Sequence, residues 1–194
     1  MRRNLPNILT LSRVVVIPPL IFSFFVPYGF ARWVATLLFM YACLTDFLDG
    51  YLARKWNHIS SFGRFLDPVA DKLLVCSTLL MLVGMGGIRG LSLLAAVVIL
   101  SREILVSGLR EFLAQLNVGM PVSWLAKWKT AIQMVAIGCL LIGDAGPWIP
   151  PLAWKTLGIT CLWFAAALTL YTGYDYLKAA MEQLNDVWVK DDEI

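Results

Sequence analysis

The sequence predicts an all-α polytopic membrane protein, with six transmembrane helices preceded by a short N-terminal interfacial helix, and three observations carry that prediction. Of its 194 residues 59% are hydrophobic and 15% charged, against about 45–50% and about 25% in soluble domains. The charges are grouped so that six long stretches contain none. When those stretches are threaded back and forth across a bilayer, 13 of the 16 Lys and Arg fall on one side. A water-soluble globule is thereby excluded. Disorder is excluded too, because it needs low hydrophobicity and high net charge, and four Cys are too sparse for a disulfide scaffold. A formal charge of +3 without a basic run gives no reason to expect a nucleic-acid partner.

The elements follow in order. Residues 1–12 set Leu5, Ile8, Leu9 and Leu11 beside Arg2, Arg3 and Asn4, which suits a helix lying in the interface and equally a plain membrane anchor. The first uncharged run, 14–31, holds Pro18, Pro19 and a bulky FSFF stretch where a cleavable leader would carry small residues, so it is expected to stay attached as a span. Runs 33–45, 73–88, 90–101 and 130–143 come next, and 156–174 is the last. Only the first and last, at 18 and 19 residues, approach the roughly 20 needed to cross about 30 Å of hydrocarbon. Each central run must therefore extend into charged sequence: past Thr45 to Asp46 and Asp49, back from Leu73 to Asp71 and Asp67, past Ser101 to Arg102, and back from Thr130 to Lys129 and Lys127.

Because helix direction alternates, all four extensions meet the same membrane face. Only Arg32, Arg89 and Lys155 lie on the other. Positive charge marks the cytoplasm, so both termini and the charged helix ends are expected at the cytosolic side of the cell's inner membrane. Trp33, Trp148 and Trp154 at the outer ends and Trp56, Trp124 and Trp128 at the inner ones fit an aromatic belt. Gly84, Gly86 and Gly87 are expected to form an outer turn. Cys43, Cys76, Cys139 and Cys161 all sit in apolar runs without metal-ligand spacing and read as packing residues. No repeat period appears, so residues 1–194 are expected to form a single domain.

The chemistry concentrates between Asp46 and Asp71. Asp46 and Asp49 are three apart and Asp67 and Asp71 four apart, so each pair shares a helix face, and the two pairs flank a short connection between antiparallel helices. Either acid alone is equally a solvated helix end. Four together beside a bilayer repel one another and demand protons or cations. All-oxygen ligation favours Mg²⁺ or Mn²⁺ over zinc, and two such ions are a known arrangement for displacement at phosphorus. Gly50 and Gly63 let a nucleotide or a neighbouring helix approach closely, and Arg54 offers a fork of donors to a diphosphate. A cation transporter would also use acids, but near mid-membrane on several helices rather than at one edge of two.

Arg102 and Arg110, eight apart and so on one helix face, join Lys127 and Lys129 at the same membrane side. A basic cluster beside an acidic site suggests an anionic acceptor such as a phosphate ester; snorkelling positive-inside residues are the alternative. Glu103 and Glu111 stand next to the two Arg and would pair with or orient them. His58 reads as a surface residue.

The pattern Asp46-x2-Asp49-Gly50-x2-Ala53-Arg54-x8-Gly63-x3-Asp67-x3-Asp71 resembles, without a departure, the signature of the CDP-alcohol phosphotransferases. The resemblance implies a six-helix membrane enzyme, usually a homodimer, that moves a phosphatidyl or similar group from a CDP-linked donor to an alcohol and releases CMP. It implies that Asp46, Asp49 and Asp67 bind metal and the CDP diphosphate, that Asp71 ligates metal and acts as the base, and that Gly50, Ala53 and Arg54 help hold the nucleotide, with Gly63 beside them. PNILTLSR (6–13), SREILVSGLRE (101–111) and AKWKT (126–130) are similar to the branch that uses CDP-diacylglycerol and sn-glycerol 3-phosphate. Arg102, Arg110, Lys127 and Lys129 would then grip the acceptor phosphate, and Asn7, Thr10 and Arg13 would line the site. The same chemistry with inositol phosphate, serine or phosphatidylglycerol as acceptor is the neighbouring reading.

Overall fold

The computed structural model describes residues 5–27, 29–56, 61–115, 124–146 and 150–191, and, within them, the side chains of 8–27, 29–51, 66–115, 124–146, 150 and 152–183. Among the described residues six α-helices follow one another: α1 (Leu5–Ser23), α2 (Gly29–Trp56), α3 (Ser61–Gly84), α4 (Ser92–Gln115), α5 (Trp124–Ile142) and α6 (Pro151–Asp191), and a 3-10 turn, Gly143–Ala145, follows α5. Among the described residues four stretches are long and apolar enough to cross a membrane: Gly29–Tyr51, Ser92–Gln115, Trp124–Ala145 and Leu152–Gln183. The apolar part of α1, Ile8–Ser23, is shorter, and α3 places Asp67, Asp71 and Lys72 before its apolar half. The protein is a multi-pass, all-α membrane protein.

The four central helices extend into charged sequence as expected, α2 through Asp46 and Asp49, α3 back beyond Asp67, α4 to Gln115 and α5 from Trp124. The beginning of the chain is organised differently. The run 14–31 is not one span: α1 stops at Ser23 and α2 begins at Gly29. Charge alone could not show this break, which comes from backbone chemistry. Pro27 has no N–H and biases Val26 away from the helical region, and the last turn tightens through bonds from the Phe24, Phe25 and Val26 amides to the carbonyls three residues earlier. Of the segment expected to lie separately in the interface, the described part, from Leu5 on, is instead the beginning of α1, where Ser12 Oγ donates to the Leu9 carbonyl at 2.7 Å. No Gly or Pro stands between Asn7 and Ile17 to interrupt it.

Apolar surroundings require every polar group to be satisfied from within. Several hydroxyls meet this by bonding back along their own helix: Thr36 to Arg32, Thr45 to Tyr41 and Ala42, Thr78 to Leu74, and Thr156 to Leu152. The α3 end is closed by backbone alone. Gly86, at φ 71°, sends its N–H to the Val83 carbonyl, while the Gly87 N–H reaches Leu82 at 2.7 Å. This is a Schellman cap, which needs a residue with positive φ at that point. Gly86 and Gly87 thus make the expected outer turn, and Gly84 is the last helical residue.

α1 lies against α2 and α3, and α6 lies along α5 and α4. The contacts are made by small residues between larger ones: Ala35 and Ala42 on α2, Ala95 and Ala96 on α4, Ala136 on α5, Ala165 and Ala166 on α6, around Phe39, Leu79, Ile99 and Leu162. Helices in lipid associate through such close approach, since apolar burial alone gives no preference for protein over acyl chain. Among the described glycines within helices the closest approach is at Gly158, where a Cβ would stand 2.7 Å from Leu140 Cγ and 3.2 Å from the Ala136 carbonyl oxygen. α4 rests mainly on α6, and among the described residues no Cα of α4 comes within 8 Å of one on α5.

Candidate active site

Three helices bring six polar side chains to one place. α1 supplies Thr10 and Arg13, three apart and both fully buried; α2 supplies Asp46 and Asp49; α3 supplies Asp67 and Asp71. The two acid pairs therefore converge as their spacing predicts, but around a partner from α1. Arg13 Nη1 lies 2.9 Å from Asp46 Oδ1 and also pairs with Asp71 Oδ1, and Nη2 pairs with Asp49 Oδ2. Thr10 Oγ1 donates to Asp67 Oδ1 at 2.5 Å, with Asp49 Oδ2 3.3 Å away. Tyr41 on α2 donates to Ser12 on α1 at 3.1 Å and fixes the two helices beside the cluster.

The cluster has a dry back and an open front. Arg13 and Asp49 are closed off, whereas the Asp46 and Asp71 side chains are 41% and 42% exposed. Among the described residues, the exposed side of the cluster presents Asp46 and Asp71. Among the described residues, nothing beyond the backbone of its own helix and its chain neighbours lies within 4 Å of where a Gly50 Cβ would stand, so no described contact calls for a glycine there.

Among the described residues no three His, Cys, Asp or Glu close around one point as metal ligands; the Arg13 head group stands between Asp46, Asp49 and Asp71 instead. The donor set nevertheless has the chemistry of a hard divalent site. It is all carboxylate, drawn from two helices, and one guanidinium among four carboxylates leaves it strongly anionic. Ala53, Arg54 and Gly63 fall within α2 and α3, but their side-chain surroundings, like those of Asn7, lie outside the described residues, as does His58 altogether.

The basic residues separate into two groups. Arg102 Nη2 donates to Thr172 on α6 at 3.2 Å, its guanidinium lies 5.5 Å above the Tyr176 ring, and Nη1 is 3.9 Å from Glu103. Lys129, buried at the start of α5, pairs with Glu103 on α4. Glu103 thus joins Arg102 to Lys129 across the gap between α4 and α5, whose described Cα atoms stay more than 8 Å apart. Arg110 and Lys127 are exposed. Sequence reasoning noted Glu103 as a neighbour of Arg102, but its link to Lys129 has no local signal, and nothing in the sequence singles out Thr172 or Tyr176.

Comparison with known proteins bears directly on this arrangement. The sequence pattern of the CDP-alcohol phosphatidyltransferase family matches residues 3–171. A protein of Rickettsia felis named CDP-diacylglycerol–glycerol-3-phosphate 3-phosphatidyltransferase is 48% identical over 177 residues, covering 91% of this chain and 95% of its own. Proteins of the same name from Rickettsia bellii and Salmonella choleraesuis are 49% and 42% identical, and the latter is covered over its whole length. With the family pattern matched over most of the chain and carried by full-length relatives, the protein belongs to the CDP-alcohol phosphatidyltransferase family and is an enzyme of that family.

Proposed function

We propose that this enzyme transfers the phosphatidyl group of CDP-diacylglycerol to sn-glycerol 3-phosphate, releasing CMP and forming phosphatidylglycerophosphate. The observation that carries the reading is the convergence of Asp46, Asp49, Asp67 and Asp71 at one half-open cluster, in a chain whose full-length relatives bear that activity in their names.

Asp46, Asp49, Asp67 and Asp71 would hold two Mg²⁺ or Mn²⁺ ions. Bound there, such ions neutralise a diphosphate and polarise its phosphoryl oxygens. The residues of the chain do the rest. Asp71, on the open side, takes the proton from the acceptor's C1 hydroxyl as that oxygen bonds to the β-phosphorus. The bond from this phosphorus to the bridging oxygen breaks, and CMP leaves with the electron pair. Arg54 balances charge on the departing diphosphate, and Gly50 and Ala53, with Gly63, let the nucleotide lie close to the backbone. Arg102, Arg110, Lys127 and Lys129 hold the acceptor phosphate; Lys129 would do so by exchanging Glu103 for it. Asn7 and Thr10 line the site from α1.

The lipid donor reaches this point from the bilayer with its tails in hydrocarbon, while glycerol phosphate comes from water. The distribution of Lys and Arg supports a site at the cytosolic face of the inner membrane with both termini on that side, and the family resemblance supports a homodimer. The deciding experiment incubates purified protein with CDP-diacylglycerol, Mg²⁺ and separate acceptors, and measures CMP. Release with glycerol 3-phosphate is expected. Release only with inositol phosphate, serine or phosphatidylglycerol would replace the acceptor and leave the reaction class intact.

A further inference from the structure

We propose that Arg13 is the resident counter-cation of the acidic cluster: it holds the carboxylates of α2 and α3 together before divalent ions bind, and it competes with those ions for the same oxygens. The inference rests on the reading of the cluster as the metal site, and concerns what occupies that charge otherwise. Arg13 is fully buried, and its two terminal nitrogens touch three carboxylates from two helices, Asp46 and Asp49 on one side and Asp71 on the other. Without a cation these carboxylates would repel one another in a poorly solvated place. A guanidinium suits the task because its fixed fork presents several donors in one plane to separate oxygens.

Two details mark the grip as one that can be released. The oxygens contacted, Asp46 Oδ1, Asp49 Oδ2 and Asp71 Oδ1, converge on one head group, so ions ligated by the same three atoms must displace it. In addition, among the described residues Arg13 Nε has no hydrogen-bond partner, so no described hydrogen bond beyond those to the carboxylates fixes the guanidinium in place. With Nε unengaged, the head group can swing away by side-chain rotation and break only the bonds that the ions replace. Arg13 is on this account a positioning residue, acting on substrate only through the carboxylates.

The test uses full-length protein in detergent, stripped with a chelator, and Mn²⁺ as the probe. Mn²⁺ binding is followed by the electron paramagnetic resonance of the free ion, and unfolding by the fluorescence of the eight Trp. Wild type should melt cooperatively without metal and bind Mn²⁺. Arg13→Met should melt earlier without metal, gain more from Mn²⁺ than wild type does, and bind it about tenfold or more tightly, because a competing unit charge a few ångströms away is gone. Arg13→Lys keeps the charge, but a single ammonium cannot span the three carboxylates as the fork does and so yields them more readily; it should fold without metal and bind Mn²⁺ more tightly than wild type, though less tightly than Arg13→Met. Mn²⁺ binding by Arg13→Lys that is no tighter than wild type would overturn the proposal whether or not Arg13→Met folds, since a residue that assembles the metal site would give that result. Wild-type protein that binds no Mn²⁺ would overturn this inference and the metal reading together.

Discussion

Arg13 and Lys129 are cations buried beside apolar helices, and each is held by a carboxylate from another helix. Removing one member of such a pair leaves the other charged and desolvated, so Glu103→Gln should destabilise the protein by about 3–5 kcal/mol. The Glu103→Gln, Lys129→Met double variant should recover much of this, and thermal unfolding of all three in detergent checks it. At the reaction centre, Asp71→Asn should lower CMP release by about 10²–10⁴-fold while the melting temperature is kept; an active variant would remove Asp71 as the base. Arg110→Ala should raise KM for glycerol 3-phosphate by about tenfold, with saturation by CDP-diacylglycerol unchanged. The four Asp were legible in the sequence because spacings of three and four translate directly into a shared face. Arg13 was legible only as a lining residue. Its role depends on contacts to positions 36 and 58 residues away, and no local pattern encodes which side chain α1 will carry into the cluster.

Helix contacts set the next level. Gly158 lets α6 meet α5, and a methyl group there would press on Leu140 and on the Ala136 carbonyl, which as backbone cannot rotate away. Gly158→Ala should therefore cost about 1–3 kcal/mol, read as a lower melting temperature with the chemistry unimpaired at low temperature. A melting temperature equal to wild type would mean that the two helices can separate slightly without loss. Charge placement located α3 to α6 well, because Asp, Lys and Arg bound their apolar parts. It failed for α1 and α2, where no charge lies between Val14 and Ala31 and the boundary depends on Pro27 and Gly29. Those two residues were the available signal, and hydropathy outweighed them.

For the molecule as a whole, orientation is the property that sequence charge predicts most directly. In a background without native cysteines, Arg89→Cys in the α3–α4 turn should react with a membrane-impermeant maleimide added outside intact cells, and Lys190→Cys near the end of α6 should not. The reverse labelling would invert the assignment. The packing partners of each helix were not legible, because hydrophobic runs state that a helix is buried or lipid-facing and never which neighbour it takes. For α4 the choice of neighbour also fixes the order of assembly. Its main support is α6, and α6 begins only at Pro151, long after α4 ends at Gln115. Synthesis proceeds from the N-terminus at about 5–20 residues per second, so α4 waits in the bilayer for seconds before its partner exists. The face around Arg102, which meets Thr172 and Gly173 of α6, is first covered by acyl chains, and docking of α6 must displace lipid to reach it. A chain released before Pro151 should keep α1 to α3 protected from proteolysis and leave α4 to be degraded, which makes the last helix the point at which assembly of this enzyme is either completed or abandoned.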